Sequence, residues 1–127
     1  MELRELNQNG NMLIDKYNKN GFIISGKKVE GIVVIFYNIY KEIIDNNKEI
    51  AKDDLELLIS ASPPIDILIF GHLMGLEYKI STEILELFKK KNIKIEKMIT
   101  SSACRTYNLL VSENRKVGCV LFPDEKC

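Results

Sequence analysis

Val117-Gly118-Cys119-Val120-Leu121-Phe122 is apolar or small at every position and is closed by Pro123. A strand without polar alternation is covered on both faces, so this stretch belongs inside a sheet. The strand before it reads differently. Ile93-Lys94-Ile95-Glu96-Lys97-Met98 mostly alternates, the pattern of a strand with one wet side near an edge. The last strand in sequence is therefore central while its predecessor lies outside it, and the chain must double back.

Working outward, Ile65-Asp66-Ile67-Leu68-Ile69-Phe70 is a nearly continuous apolar run ended by Gly71, a second strand buried on both faces. Between these strands lies a helix expected to be capped by Ser81 or Thr82. Its Ile80, Ile84, Leu87 and Phe88 fall on one stripe, Lys89-Lys90-Lys91 suit the negative end of the helix dipole, and Asn92 takes the left-handed capping position. Ser101 or Ser102 is expected to cap a further helix through about Glu113, with Ala103, Tyr107, Leu110 and Val111 inward. Upstream, Asp53-Asp54-Leu55-Glu56 has capping-box spacing and opens a helix that Ser62-Pro63-Pro64 ends. Residues 21–25 and 29–37 read as a β-hairpin turning at Gly26-Lys27-Lys28, and residues 38–52 as a loop or short irregular helix. Strands alternating with helices imply right-handed crossovers and a mostly parallel sheet. The expected organisation is a mostly polar N-terminal segment over 1–20, one α/β domain over 21–123 and a frayed end over 124–127.

Composition narrows the function. The 127 residues suit a single domain, and 46% apolar with 28% charged residues is ordinary for a globular chain. Eighteen basic residues balance eighteen acidic ones, which argues against a nucleic-acid partner. Cys104, Cys119 and Cys127 form no CxxC pair, so a disulfide framework or zinc site is not expected and a reducing, cytoplasmic-type compartment is. No apolar run approaches the ~20 residues of a membrane span. Met1-Glu2-Leu3-Arg4-Glu5 reads as neither signal nor transit peptide.

The segment from Met98 through Ser101-Ser102-Ala103-Cys104-Arg105-Thr106-Tyr107-Asn108 to Leu110, followed by Glu113-Asn114-Arg115-Lys116-Val117, is the distinctive part of the chain. With Gly21-Phe22-Ile23-Ile24-Ser25-Gly26, Glu30-Gly31 and Ile67-Leu68-Ile69-Phe70-Gly71 it resembles the domain family of mitochondrial complex I assembly factor 3 and its bacterial and archaeal relatives. The resemblance covers about residues 20 to 123. It implies a three-layer α/β fold with a five-stranded mixed sheet and helices on both faces. It also implies a role linked to respiratory complex I assembly in mitochondrial members, and carries no catalytic residues across. Two places depart from the family pattern. Gly71-His72-Leu73 stands where Gly-Thr-Gly is frequent, and Tyr37-Asn38-Ile39-Tyr40, with no Trp in the chain, stands where Pro and a later Trp are usual.

Two functional readings stay open on the residues. The first is a non-catalytic protein-binding domain, with other proteins as partners, among them subunits of a membrane respiratory complex. Its surface would combine Tyr37, Ile39 and Tyr40 with Leu73 and Met74, apolar residues in expected loops. The second is a small-anion site or enzyme at the carboxyl ends of the parallel strands. There Gly71 and His72 would face Ser101 and Ser102 at a helix start whose N–H groups favour an anion, with Arg105 supplying a bidentate contact and Asn108 bonding the neighbouring loop. Cys104 is the one plausible nucleophile, yet it borders the apolar stripe of Tyr107 and Val111, where a cysteine packs as a small hydrophobe. A single histidine makes no two-histidine metal site, no Walker lysine or GxGxxG motif is present, and no cofactor is expected.

Overall fold

The computed structural model describes residues 10–18, 21–43, 52–72 and 82–123. The described chain opens with a small antiparallel sheet of β1 (Ile14–Asn18), β2 (Gly21–Ile24) and β3 (Lys27–Val29). Residues 14–18, read from sequence as part of a polar leading segment, are therefore a strand of the fold. The β2–β3 turn at Ser25 and Gly26 holds both residues at positive φ, 46° and 85°, as the tight two-residue turns of hairpins require.

The expected second hairpin strand does not run on to residue 37. Gly31 sits at φ 79°, a conformation that favours glycine, and the chain swings there out of the small sheet. It continues as β4 (Ile32–Phe36), which turns at Tyr37-Asn38 into β5 (Ile39–Ile43), so the expected loop over 38–52 contains a strand. α1 (Lys52–Ile59), β6 (Ile67–His72), α2 (Thr82–Lys90), β7 (Lys94–Ile99), α3 (Thr100–Ser112) and β8 (Val117–Leu121) follow.

The five-stranded sheet has the order β5-β4-β8-β6-β7. β8 is central, paired with β4 on one side and β6 on the other, and every one of its residues is buried. β7 lies at an edge, as its alternation requires. The sheet is mixed rather than mostly parallel: β8–β6 and β6–β7 are parallel, but β4 joins both β5 and β8 antiparallel. The difference arises because the β4–β5 hairpin, not a crossover unit, completes the sheet.

Alternation along the strands sorts the core into two clusters. Val34, Phe36, Leu68, Phe70, Val120 and Phe122 face Leu55 and Leu58 of α1 and Ile84 and Phe88 of α2. Val33, Ile35, Ile69, Cys119 and Leu121 face Tyr107 and Val111 of α3 together with Ile14, Phe22 and Ile24 of the small sheet. The second face is thus shared between one helix and a sheet. Asn92 ends α2 at φ 59°, with Ile93 N–H bonded to the Phe88 carbonyl at 2.9 Å, the expected left-handed cap.

Candidate functional site

The residues expected to bind a ligand start at the end of the sheet where β6 finishes. β7 runs directly into α3, without an intervening loop: Ile99 is the N-cap, and no side chain caps the helix. Ser101 and Ser102 therefore lie inside the first turn, half-buried, and not at the cap position expected for them. Thr100 is fully buried, and its hydroxyl lies 2.7 Å from the Phe122 carbonyl and 3.3 Å from that of His72. With one proton to donate, it bonds the nearer oxygen and ties the helix start to the strand ends. Gly71 is where α3 presses on β6. A Cβ there would stand 2.7 Å from Ala103 Cβ and 2.9 Å from Leu121 Cδ2, closer than methyl groups pack. His72 is half-buried beside this contact.

Further along α3 the expected cluster disperses. Cys104 is 2% exposed and faces the core cluster that holds Cys119, itself fully buried. Burial pushes the Cys119 thiol well above its ordinary value, and the nearby Cys104 adds to the effect. Arg105 is exposed and reaches towards β1, its Nη1 donating to Tyr17 Oη at 3.4 Å. Asn108 also turns to β1. Its Oδ1 accepts from the Ile14 N–H at 2.9 Å and its Nδ2 donates to the Ile14 carbonyl at 2.8 Å, so the side-chain amide mimics a neighbouring strand.

These bonds belong to a larger clamp that sequence reasoning missed. Met12 N–H donates to the Tyr37 carbonyl at 2.7 Å, and the Met12 carbonyl accepts from the Tyr107 hydroxyl at 3.0 Å. Leu13 N–H donates to Ser25 Oγ at 3.1 Å, and its carbonyl accepts from the Ser25 N–H at 2.9 Å. With Asn108 on Ile14, every backbone donor and acceptor over residues 12–14 has a partner. The positions 107 and 108 of the distinctive motif hold the leading strand to the body of the domain.

The opposite end of the sheet carries a groove of about 610 Å³, lined among others by Phe36, Tyr37, Ile39, Leu57, Pro63 and Arg115. It lies beside Gly118 at the start of β8, since Phe36 pairs with Gly118. Tyr37 occupies φ 52°, rare for a bulky side chain, and its hydroxyl donates to the Pro63 carbonyl at 2.6 Å. Burial raises the pKa of that hydroxyl, and the Asp66 carboxylate adds to the rise. Ile39 is 43% and Leu57 38% exposed.

The structure therefore joins Tyr37 and Ile39 of the expected partner surface but not the rest. Tyr40 packs against the core on the α3 side. Leu73 and Met74 lie outside the described residues, and the chain leaves β6 at His72, beside Leu121 and Phe122 at the far end of β8 from Tyr37. Leu57, Arg115 and Lys116 were not anticipated at a site; the exposed leucine on an otherwise amphipathic α1 was the available signal. Among the described residues no group of three or more His, Cys, Asp or Glu side chains is placed to hold a metal ion. No helix among them is long and apolar enough to cross a membrane.

The chain is similar to several known proteins. It is 36% identical over 115 residues to NADH dehydrogenase (ubiquinone) 1 alpha subcomplex assembly factor 3 of Xenopus tropicalis, covering 90% of this chain and 62% of that protein. It thus spans about three fifths of the length of that relative. It is 29% identical over 125 residues to the 13 kDa major membrane protein of Francisella tularensis subsp. holarctica, covering 96% of this chain and 99% of that one. Among solved structures, an outer membrane protein from Bartonella henselae superposes with a TM-score of 0.79 at 26% identity, covering 92% of this chain and 98% of that chain. A family pattern also matches residues 14–122, from the first residue of β1 to the residue after the central strand. The chain belongs to that family, described as "Protein of unknown function (DUF498/DUF598)".

Proposed function

We propose that this chain is a non-catalytic, protein-binding domain of the assembly-factor kind, acting on subunits of a membrane respiratory complex. The observation that carries the reading is the likeness, over 90% of the chain, to a protein named as a complex I assembly factor. The geometry supports it. The nucleophile-capable Cys104 and Cys119 are withdrawn into the core, and Tyr107 and Asn108 are engaged with the backbone of residues 12–14. The exposed apolar side chains Ile39 and Leu57, by contrast, stand in a groove open to a partner.

The test is made in the source organism with the full chain tagged at its native level. After mild crosslinking, subunits of a membrane respiratory complex are enriched over an untagged control. Deleting the gene leaves smaller subassemblies of that complex on native gels. A deletion strain with the complex fully assembled, alongside a tagged chain that recovers no subunit, overturns the proposal.

A further inference from the structure

We infer that the groove at the Tyr37 end of the sheet docks a peptide segment of a partner protein that presents apolar side chains next to carboxylates. The inference rests on the protein-binding reading above and adds the place and chemistry of the contact. Four large apolar side chains are exposed among the described residues: Ile39, Leu57, Leu85 and Leu109. Two of them, Ile39 from β5 and Leu57 from α1, line this one groove together with Phe36 and Pro63. Apolar groups from separate elements that meet in one recess make an anchor pocket, whereas scattered ones need no explanation.

Charge chooses the partner. Arg115 and Lys116 line the same groove from the turn between α3 and β8, and both are exposed. No carboxylate among the described residues forms an ion pair with either. Asp66 lies close enough to act on the Tyr37 hydroxyl but does not line the groove, so among the described residues the rim carries a positive excess. Opposite-sign groups flanking an apolar centre steer a partner into register and reject like-charged ones.

Tyr37 shapes the recess. Its left-handed backbone conformation is one a bulky residue adopts only when its surroundings impose it. Here the Pro63 carbonyl holds the phenol and the Met12 N–H holds the Tyr37 carbonyl. Such outliers gather at binding sites, where a pre-set wall is worth the local strain. The apolar groups line a recess instead of standing proud, which suits the side chains of a peptide better than the flat face of a bilayer.

The experiment places a photo-crosslinking amino acid at Ile39, at Leu57 or, as control, at the 58%-exposed Leu109, in the full chain in its own cells. Mass spectrometry then maps the captured atoms. The expected result is capture from positions 39 and 57, but not 109, of one segment of a subunit that the tagged chain also recovers. That segment carries Asp or Glu within a few residues of its apolar contacts. Arg115→Glu with Lys116→Glu lowers the capture by roughly fivefold or more, as reversing two rim charges does. Both positions are exposed, so the variant melts with the wild type. A synthetic peptide of the mapped segment binds the wild type, and its Asn/Gln-substituted form binds more weakly. Equal capture from Leu109, a segment without carboxylates, lipid adducts in place of peptide, or indifference to charge reversal each overturns the inference. If the charge-reversed chain with Leu57→Ser still recovers the same subunits, the groove is excluded while the assembly reading stands. A wild-type chain that recovers no subunit, alongside a deletion strain with the complex fully assembled, removes both.

Discussion

Replacing Asn108 by Ala removes the amide that pairs with both backbone groups of Ile14, at 2.9 and 2.8 Å across 94 positions of sequence. A net intramolecular hydrogen bond contributes about 1 kcal/mol, and a backbone group left unsatisfied and buried costs about 1–3 kcal/mol. Ile14 is 5% exposed, but its backbone here is only partly buried, so water recovers some of the loss. The expected destabilisation is about 2–3 kcal/mol. That is several times the effect of Leu109→Ala on the neighbouring, 58%-exposed residue, which stays within about 0.5 kcal/mol. Tyr107→Phe removes only the hydroxyl that holds the Met12 carbonyl at 3.0 Å, and costs about 1 kcal/mol. Both side chains clamp the same short segment, so once that segment is released the second bond has nothing left to hold. The double variant should fall short of the sum by about 0.5 kcal/mol or more. Urea unfolding of the wild type and these four variants measures the differences, and hydrogen exchange at residues 12–14 should accelerate in each clamp variant. An Asn108→Ala protein as stable as the wild type, or strictly additive losses with unchanged exchange, would refute the clamp.

Gly71→Ala forces a methyl against Ala103 Cβ and Leu121 Cδ2, at a cost of about 1–3 kcal/mol, and Ala103→Gly in the same chain should restore part of it in thermal melts. Ala103→Gly that deepens the loss by its full single-mutant amount would show the contact is not the cause. Thiol titration of the folded protein near neutral pH should leave Cys104 and Cys119 unreacted until denaturant is added, given exposures of 2% and 0%; rapid labelling of Cys104 would return the enzyme reading to consideration. Stability should also fall on the alkaline side. Cys119 and Tyr107 both have raised pKa values in the folded protein, through burial first. Their unfolded counterparts ionise near 9.0 and 10.0, so the contribution is fully present below about pH 9 and is lost as pH rises towards the folded values. Each group adds a slope of about 1.4 kcal/mol per pH unit above its unfolded value. Urea unfolding between pH 8 and 11 checks this, and Tyr107→Phe and Cys119→Ala should each flatten the decline.

Patterns that reflect burial on both faces were readable without coordinates. Residues 117–122 had to be central and residues 93–98 peripheral, because a strand's two faces are written into alternate residues. The stripe on α2 and the left-handed Asn92 follow from helical periodicity and capping in the same way. Burial of Cys104 was also legible, since Tyr107 and Val111 mark the core side of α3. β5 was not, because Lys41 and Glu42 of Ile39-Tyr40-Lys41-Glu42-Ile43 give an edge strand little apolar signal, and the turn before it bends at Tyr37 instead of at a glycine. With that hairpin unseen, the sheet looked more parallel than it is.

Sequence by itself determined which segments are covered on both sides, which helix faces turn inward, and which family the chain belongs to. Only the tertiary structure decided where the polar residues of the distinctive motif go. Periodicity shows that Asn108 and Arg105 leave the core side of α3, but not that a leading strand waits there to be held, because that strand lies more than 80 residues away in sequence. The same holds for the groove. Ile39, Leu57 and Arg115 are distant in sequence, and each is locally unremarkable. They meet because β4 and α1 end, and β8 begins, at one side of the sheet, and strand pairing over long sequence separations is set by the packing of the whole core.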